Sequence, residues 1–337
     1  MRVGIYQDLR NPPEWCKPWD RFYAESIEVV EEAERLGADS VWISEHHFFE
    51  DGYLPQPLTY AAALAARTQR LRIGTAVLLA PLRRAIDIAE QSAIVDLVSG
   101  GRFDLGLGAG YRVPEFAAYE TPMEDRFKVV RERVDEIREI FAKGLVTPVP
   151  LQDPFPLWCG FATATGARHA GRLGVGLLSV GRELAVAYQR GLEEAGFPAQ
   201  RARMAGPVHF ILADDPEEVW QRVTPHFRYQ WDSYRRYMVE GTDLKAPRQI
   251  DPEKWRQPGP DGAPPQIGVF TPDAAATMIR EWLAGTPAVE LYFWSSIAGM
   301  PEDLARRHVE LVCTELRAGL ADFTPAETSV EKIDEPT

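Results

Sequence analysis

The feature that most constrains the fold is a regular alternation of short apolar runs with amphipathic stretches along nearly the whole chain. A strand pattern at 2–7 is followed by a helical pattern at 20–36, which Gly37 closes, and by a strand pattern at 40–44. Within that helix Ile27, Val30, Ala33 and Leu36 fall on one stripe, the spacing of a core-facing surface. The alternation continues with helix 57–67, strand 71–79, helix 84–98 closed by Gly100 and Gly101, strand 103–107, helix 124–142 and strand 156–160. Helix 164–173, strand 175–179, helix 182–195, strand 206–212, helix from 215 onward, helix 272–284, strand 288–294 and helix 302–319 complete it. Strands separated by helices imply βαβ units and a parallel sheet, and eight of them predict an α/β fold, a closed (β/α)8 TIM barrel. Residues 240–268 are rich in Pro, Gly and charge and have no period, so they are expected to be an insertion between strands 7 and 8, an ordered lid or a mobile loop. No linker divides the chain, which is expected to be one domain over 1–320 with a disordered tail at 321–337.

Composition narrows the partners. Fifty acidic against 37 basic residues give a formal net charge of -13, which argues against nucleic acid or an anionic membrane surface. Cys16, Cys159 and Cys313 lie far apart without metal-ligand spacing, so neither a disulfide framework nor a zinc site is expected, and a reducing cytoplasmic setting is. No run approaches the 18 apolar residues or so of a membrane span.

Chemistry concentrates where the second strand ends. Val41-Trp42-Ile43 runs into Ser44-Glu45-His46-His47-Phe48-Phe49, placing an acid and two imidazoles at the carboxyl edge of a parallel sheet, where ligands bind in such folds. Adjacent residues on an extended chain point to opposite sides, so only one of His46 and His47 is expected to face a pocket, the other acting as support. A second feature, Gly106-Leu107-Gly108-Ala109-Gly110-Tyr111, fails as a dinucleotide fingerprint because Tyr111 stands where the last glycine would be. Its missing side chains leave room either for a flat ring or for another backbone. A third, Gly160-Phe161-Ala162-Thr163-Ala164-Thr165-Gly166, ends a strand and opens a helix, either as ordinary N-capping or as an anion site.

Together these blocks resemble the bacterial luciferase-like family of flavin-dependent monooxygenases, enzymes on a TIM-barrel variant. Glu45-His46-His47-Phe48, Gly74-Thr75-Ala76-Val77, Asp96-Leu97-Val98-Ser99-Gly100-Gly101-Arg102-Phe103, Glu115-Phe116, the turn from Gly160 and Gly299-Met300-Pro301 match in order, over roughly residues 1 to 320. The resemblance implies reduced FMN, supplied by a separate flavin reductase, and O2 acting on a small organic substrate. The alternative it implies is hydride transfer with the deazaflavin cofactor, whose polyanionic tail suits an acidic chain less well. His46 would be the catalytic acid/base, and Thr75, Ala76 and Val77, with a non-proline cis peptide among them, would lie beneath the ring. Thr163, Thr165 and Gly166 would hold the phosphate, and Glu45, Gly108, Gly110, Tyr111 and Gly160 would complete the cofactor contacts. Ala109 and Ala162 stand where luciferase has an arginine and an acid, so a further phosphate contact falls to Tyr111 or Arg112. A two-fold homodimer through helices 57–67 and 84–98 is also implied.

Overall fold

The computed structural model describes residues 1–259 and 263–327. Eight parallel strands close into a barrel: β1 (Arg2–Gln7), β2 (Ser40–Ile43), β3 (Arg72–Thr75), β4 (Phe103–Gly108), β5 (Leu157–Gly160), β6 (Gly176–Leu177), β7 (Met204–Val208) and β8 (Ala288–Trp294). Each pairs with its sequence neighbour, β3 with β4 through Ile73 and Phe103, and β8 returns to β1, so the sheet has no open edge. Helices cover the outside, and the first (Trp19–Leu36) ends at Gly37, whose φ of 102° suits a residue without a Cβ.

The barrel interior is filled in layers. At the amino-terminal end Ser40, Asp104 and Glu290 are buried, with Arg2 on Glu290 (2.8 Å) and Arg72 on Asp104 (2.6 Å). Above them Trp42, Trp158 and Tyr292 pack, Trp42 stacking on Tyr292 at 5.3 Å and meeting Trp158 edge-on at 5.8 Å. Register explains the glycines: Trp42 pairs with Gly74 and Trp158 with Gly176, and a Cβ at either glycine would overlap the indole. A floor of this bulk leaves the carboxyl-terminal mouth as the open end, the usual location of chemistry in this architecture.

Four elements differ from their sequence patterns. The strand expected over 71–79 breaks after Thr75, and only Leu78–Leu79 resumes pairing, with Gly108 and Leu107. The strand expected over 206–212 leaves the barrel after Val208; Phe210–Leu212 pairs instead with Gly268–Phe270, a strand that the polar composition of 240–268 concealed. A short helix, Val113–Ala118, follows β4. Within the segment expected to be a tail, Phe323 is buried and the N-terminal amine of Met1 donates to Leu320 O and Phe323 O, so residues 321–327 pack on the barrel. Residues 328–337 of that segment lie outside the described residues.

Candidate active site

His46 and His47 take different partners. Glu115, from the short helix after β4, is buried, and its Oε1 accepts from His46 Nδ1 at 2.9 Å and from the His47 backbone N–H at 2.8 Å. Burial pushes the Glu115 carboxyl upward, but the bond from His46, the charge of that ring when it is protonated, the His47 N–H and nearby Arg112 outweigh that and hold it below the usual value. An ionised carboxylate only accepts, so the proton on His46 belongs on Nδ1, leaving Nε2 with a lone pair. Nε2 makes no hydrogen bond among the described residues. The His46 ring stacks on Phe49 at 5.0 Å and meets Tyr53 and Tyr111 edge-on at 4.8 and 4.9 Å.

His47 faces the support layer: its Nε2 donates to Glu45 Oε1 at 2.8 Å, and Tyr119 reaches Nδ1 at 3.4 Å. Glu45, expected to touch the cofactor, is corrected by the structure to a positioning role. Its side chain has no exposed surface; Oε2 accepts from Leu79 N–H (2.7 Å), and Oε1 also takes Arg83 Nη1 (2.6 Å). Arg112, expected as a phosphate contact, is likewise consumed. Fully buried, it bonds His47 O and Glu240, lies 3.5 Å from Glu115, and spreads over the rings of Phe49 and Tyr237.

Where β3 ends, a shelf is built by β3, β4 and β5. The Ala76–Val77 peptide bond is cis, Thr75 Oγ1 is tied to Gly106 by bonds of 2.8 and 2.9 Å, and Tyr6 donates to Ala76 O at 3.4 Å. A Cβ on Gly108 or Gly160 would collide with Val77, and one on Gly106 with Thr75 O. These glycines therefore admit protein rather than ligand: Gly108 and Gly160, expected as cofactor contacts, act by seating Val77, while Ala76 and Val77 form the partly exposed apolar surface. Gly110 takes a φ of 68°, turning the chain so that Tyr111 stands against His46. At the helix Ala164–Leu173, Thr163 is the N-cap and its Oγ1 accepts from Gly166 N–H at 3.2 Å, so Gly166 is spent on capping and on packing against Phe161. Thr163 and Thr165 are exposed.

The sequence reading missed the mouth's other wall. Helix Pro216–Met238 crosses the mouth and is fastened by Arg10, whose Nε donates to Asp51 at 2.7 Å and whose Nη1 reaches Gln230 O at 3.3 Å; Gln230 in turn bonds Asp8 at 2.6 Å. Burial pushes Asp8 up to about 6, against the pull of Arg10 and Gln230. The helix delivers Tyr234, whose hydroxyl meets Tyr53 at 2.9 Å, and Trp231. Residues 240–259 lie behind it: Glu240 holds Arg112, Ile250 N–H bonds Asp232 at 2.7 Å, and Trp255 packs on Trp231 at 5.3 Å. Arg10 and Gln230 sit in segments with no motif, so only the folded chain brings them together.

The sequence model of the luciferase-like monooxygenase family matches residues 8–288, and the chain belongs to that family. Among curated relatives, an F420-dependent glucose-6-phosphate dehydrogenase of Amycolatopsis mediterranei is 33% identical over 172 residues, 45% of this chain and 52% of the relative. The oxygenase component of a flavin-dependent trigonelline monooxygenase from Acinetobacter baylyi is 30% identical over 154 residues, 41% and 43% of the two chains. The match thus spans about half or less of these relatives' length, and the family includes proteins named for either cofactor. The fold is shared with the monooxygenase RslO1 from Streptomyces bottropensis, at a TM-score of 0.75 and 24% identity over 93% of this chain and 98% of that one. Among the described residues no cluster of His, Cys, Asp or Glu could hold a metal ion, and no helix is long and apolar enough to cross a membrane.

Proposed function

We propose that the chain is an oxidoreductase that uses reduced FMN and O2 to oxidise a small organic substrate, with His46 as the acid/base. The observation that carries this reading is His46 itself: one imidazole, its proton fixed on Nδ1 by buried Glu115, standing among the aromatic rings of Phe49, Tyr53 and Tyr111. The residues fit a flavin. The shelf is flat and apolar because Gly108 and Gly160 let Val77 lie down on the strands, and the helix at Thr163 offers hydroxyls and a positive dipole end to one phosphate. Reduced flavin supplies the electrons and the reaction with O2 that organic substrates do not undergo directly. The chain's own part is to orient the ring on Val77, to exclude water with Phe49, Tyr53 and Tyr234, and to take a proton at His46 Nε2.

The deazaflavin alternative draws on the dehydrogenase relative, and the His46–Glu115 pair suits hydride transfer equally. Against it, Arg10, Arg83 and Arg112 at the mouth are already paired with Asp51, Glu45 and Glu240, which leaves little positive charge for a polyanionic tail. A separate flavin reductase would supply reduced FMN. A homodimer is also part of this reading: Leu58, Ala61, Leu64, Ile88 and Val95 are core, whereas Ile94 and Val98 on helix Ala85–Ser99 remain exposed, as do Leu145 and Leu151. Light scattering at micromolar concentration should give twice the chain mass. Titration of the purified protein with FMN and with the deazaflavin, followed by O2 uptake over a substrate panel, tests the main claim. FMN should bind more tightly, and His46→Ala should slow turnover on the order of a hundredfold with FMN affinity intact; unchanged turnover would refute the assignment.

A further inference from the structure

Five indoles of this chain, four buried and that of Trp231 partly exposed, fall into two groups. Trp42 donates to Glu290 at 2.6 Å, Trp158 to Asp104 at 3.0 Å and Trp220 to Glu253 at 2.9 Å. Trp231 and Trp294 bury their Nε1 atoms without any partner among the described residues. Both stand at the mouth. Trp294 is the last residue of β8, in register with Tyr6, and only 4% exposed; Trp231 hangs from the crossing helix, 6.1 Å from it between ring centroids. Between them lies His209, just past β7, stacked on Trp294 at 4.8 Å and edge-on to Trp231 at 5.2 Å. The same apolar cluster contains Tyr6, Tyr234, Ala76 and Val77, so this wall is continuous with the shelf.

A buried N–H without an acceptor has lost its water and gained nothing in return, so two neighbouring ones beside the reaction site are an unmet demand for an acceptor. We infer that they recognise the substrate, and that the substrate is a flat cyclic compound bearing an uncharged carbonyl oxygen, which accepts from Trp231 and Trp294 while its ring lies among the aromatic side chains. The inference deepens the flavin-site reading and rests on it for the chemistry that follows binding. Charge selects the neutral carbonyl over a carboxylate. His209 is kept uncharged by burial, which pushes it down to about 4. Arg10 is held by Asp51, and Arg235 lies over the ring of Trp255 and gives its hydrogen bond to Arg248 O. An anion at this wall would be buried with no counter-charge.

The test is binding of 1-tetralone, its deoxygenated analogue tetralin, and 2-naphthoate to FMN-loaded protein, followed by indole ¹H–¹⁵N spectra and by tryptophan fluorescence. Tetralone should bind about tenfold more tightly than tetralin and move two indole cross-peaks, which Trp231→Phe and Trp294→Phe identify by their loss. Either variant keeps a ring in place and should reduce the preference to about threefold or less, with the melting temperature showing that it is folded. Equal affinity for tetralone and tetralin, or unmoved indole signals, overturns the inference, as does tighter binding of naphthoate. The indole shifts are read without turnover. Shifts without tetralone-dependent O2 uptake leave the carbonyl site standing and count against the monooxygenase; uptake without shifts does the reverse.

Discussion

Replacing Glu115 by Gln isolates what the carboxylate does for His46. The amide is isosteric, so its oxygen can still accept from His46 Nδ1 and from His47 N–H, while its NH2 takes the place of Oε2, a buried atom with no partner in the native protein. What changes is charge. When Nε2 takes a proton, the imidazolium sits beside a carboxylate whose oxygen is 2.9 Å from Nδ1. Two unit charges roughly 5 Å apart at an effective dielectric constant near 20 attract by about 3 kcal/mol, an upper bound of about a hundredfold in rate. The gain of a charged over a neutral hydrogen-bond partner, about 1–1.5 kcal/mol, sets the lower bound near tenfold. kcat in Glu115→Gln should therefore fall ten- to a hundredfold with KM within a few-fold. Glu115→Gln and Glu115→Ala both remove a negative charge 3.5 Å from buried Arg112, which Glu240 still pairs; Glu115→Ala is the wrong control because it also strips the acceptor from two donors. Steady-state O2 uptake on the best substrate of the panel measures both variants. A Glu115→Gln enzyme with kcat within twofold of the parent would show that no positive charge develops on His46.

Three further outcomes are expected. His308 donates from Nε2 to Trp294 O and accepts Leu212 N–H at Nδ1, both at 2.8 Å, and burial pushes it and His209 down to about 4. Each then binds a proton in the unfolded chain between pH 6.5 and 4 but not in the native one, so stability present above pH 6.5 should fall by about 1.4 kcal/mol per pH unit per histidine as pH drops through that window. Urea unfolding at pH 7, 6 and 5 checks this, and His209→Phe should remove about half of the slope. Gly108→Ala puts a Cβ into Val77 and should cost roughly 1–3 kcal/mol of stability while weakening FMN binding; unchanged fluorescence titrations would remove Val77 from the flavin bed. Replacing residues 243–258 by a short linker strips the backing from Trp231 and should raise hydrogen peroxide release while the barrel still melts cooperatively; equal release would leave the segment no shielding role.

The barrel was legible in the sequence because its period is a property of each segment taken alone, and the site was legible only where it too is local. Glu45, His46 and His47 are contiguous, so a strand end is enough to bring an acid and two imidazoles together, and they take different partners, His46 bonding Glu115 and His47 bonding Glu45. What failed were readings that needed to know who fills a space. Glycines at 106, 108 and 160 advertise room, but the occupant is Thr75 O or the Val77 side chain, fixed by how β3 turns after Thr75 rather than by anything in the glycine strands. Arg112 looked like a free cation because the acid that claims it, Glu240, is 128 residues away in a segment without a period. The crossing helix followed the same rule: its pattern marks a helix from 215, yet that Gln230, Ser233 and Tyr234 face Arg10 and Tyr53 depends on where β7 releases the chain. In such a barrel the strand-end acid and its two neighbouring imidazoles are written locally. The wall that chooses the substrate is assembled from the ends of β1, β7 and β8 and a helix between the last two, and becomes readable only once the strands are in register.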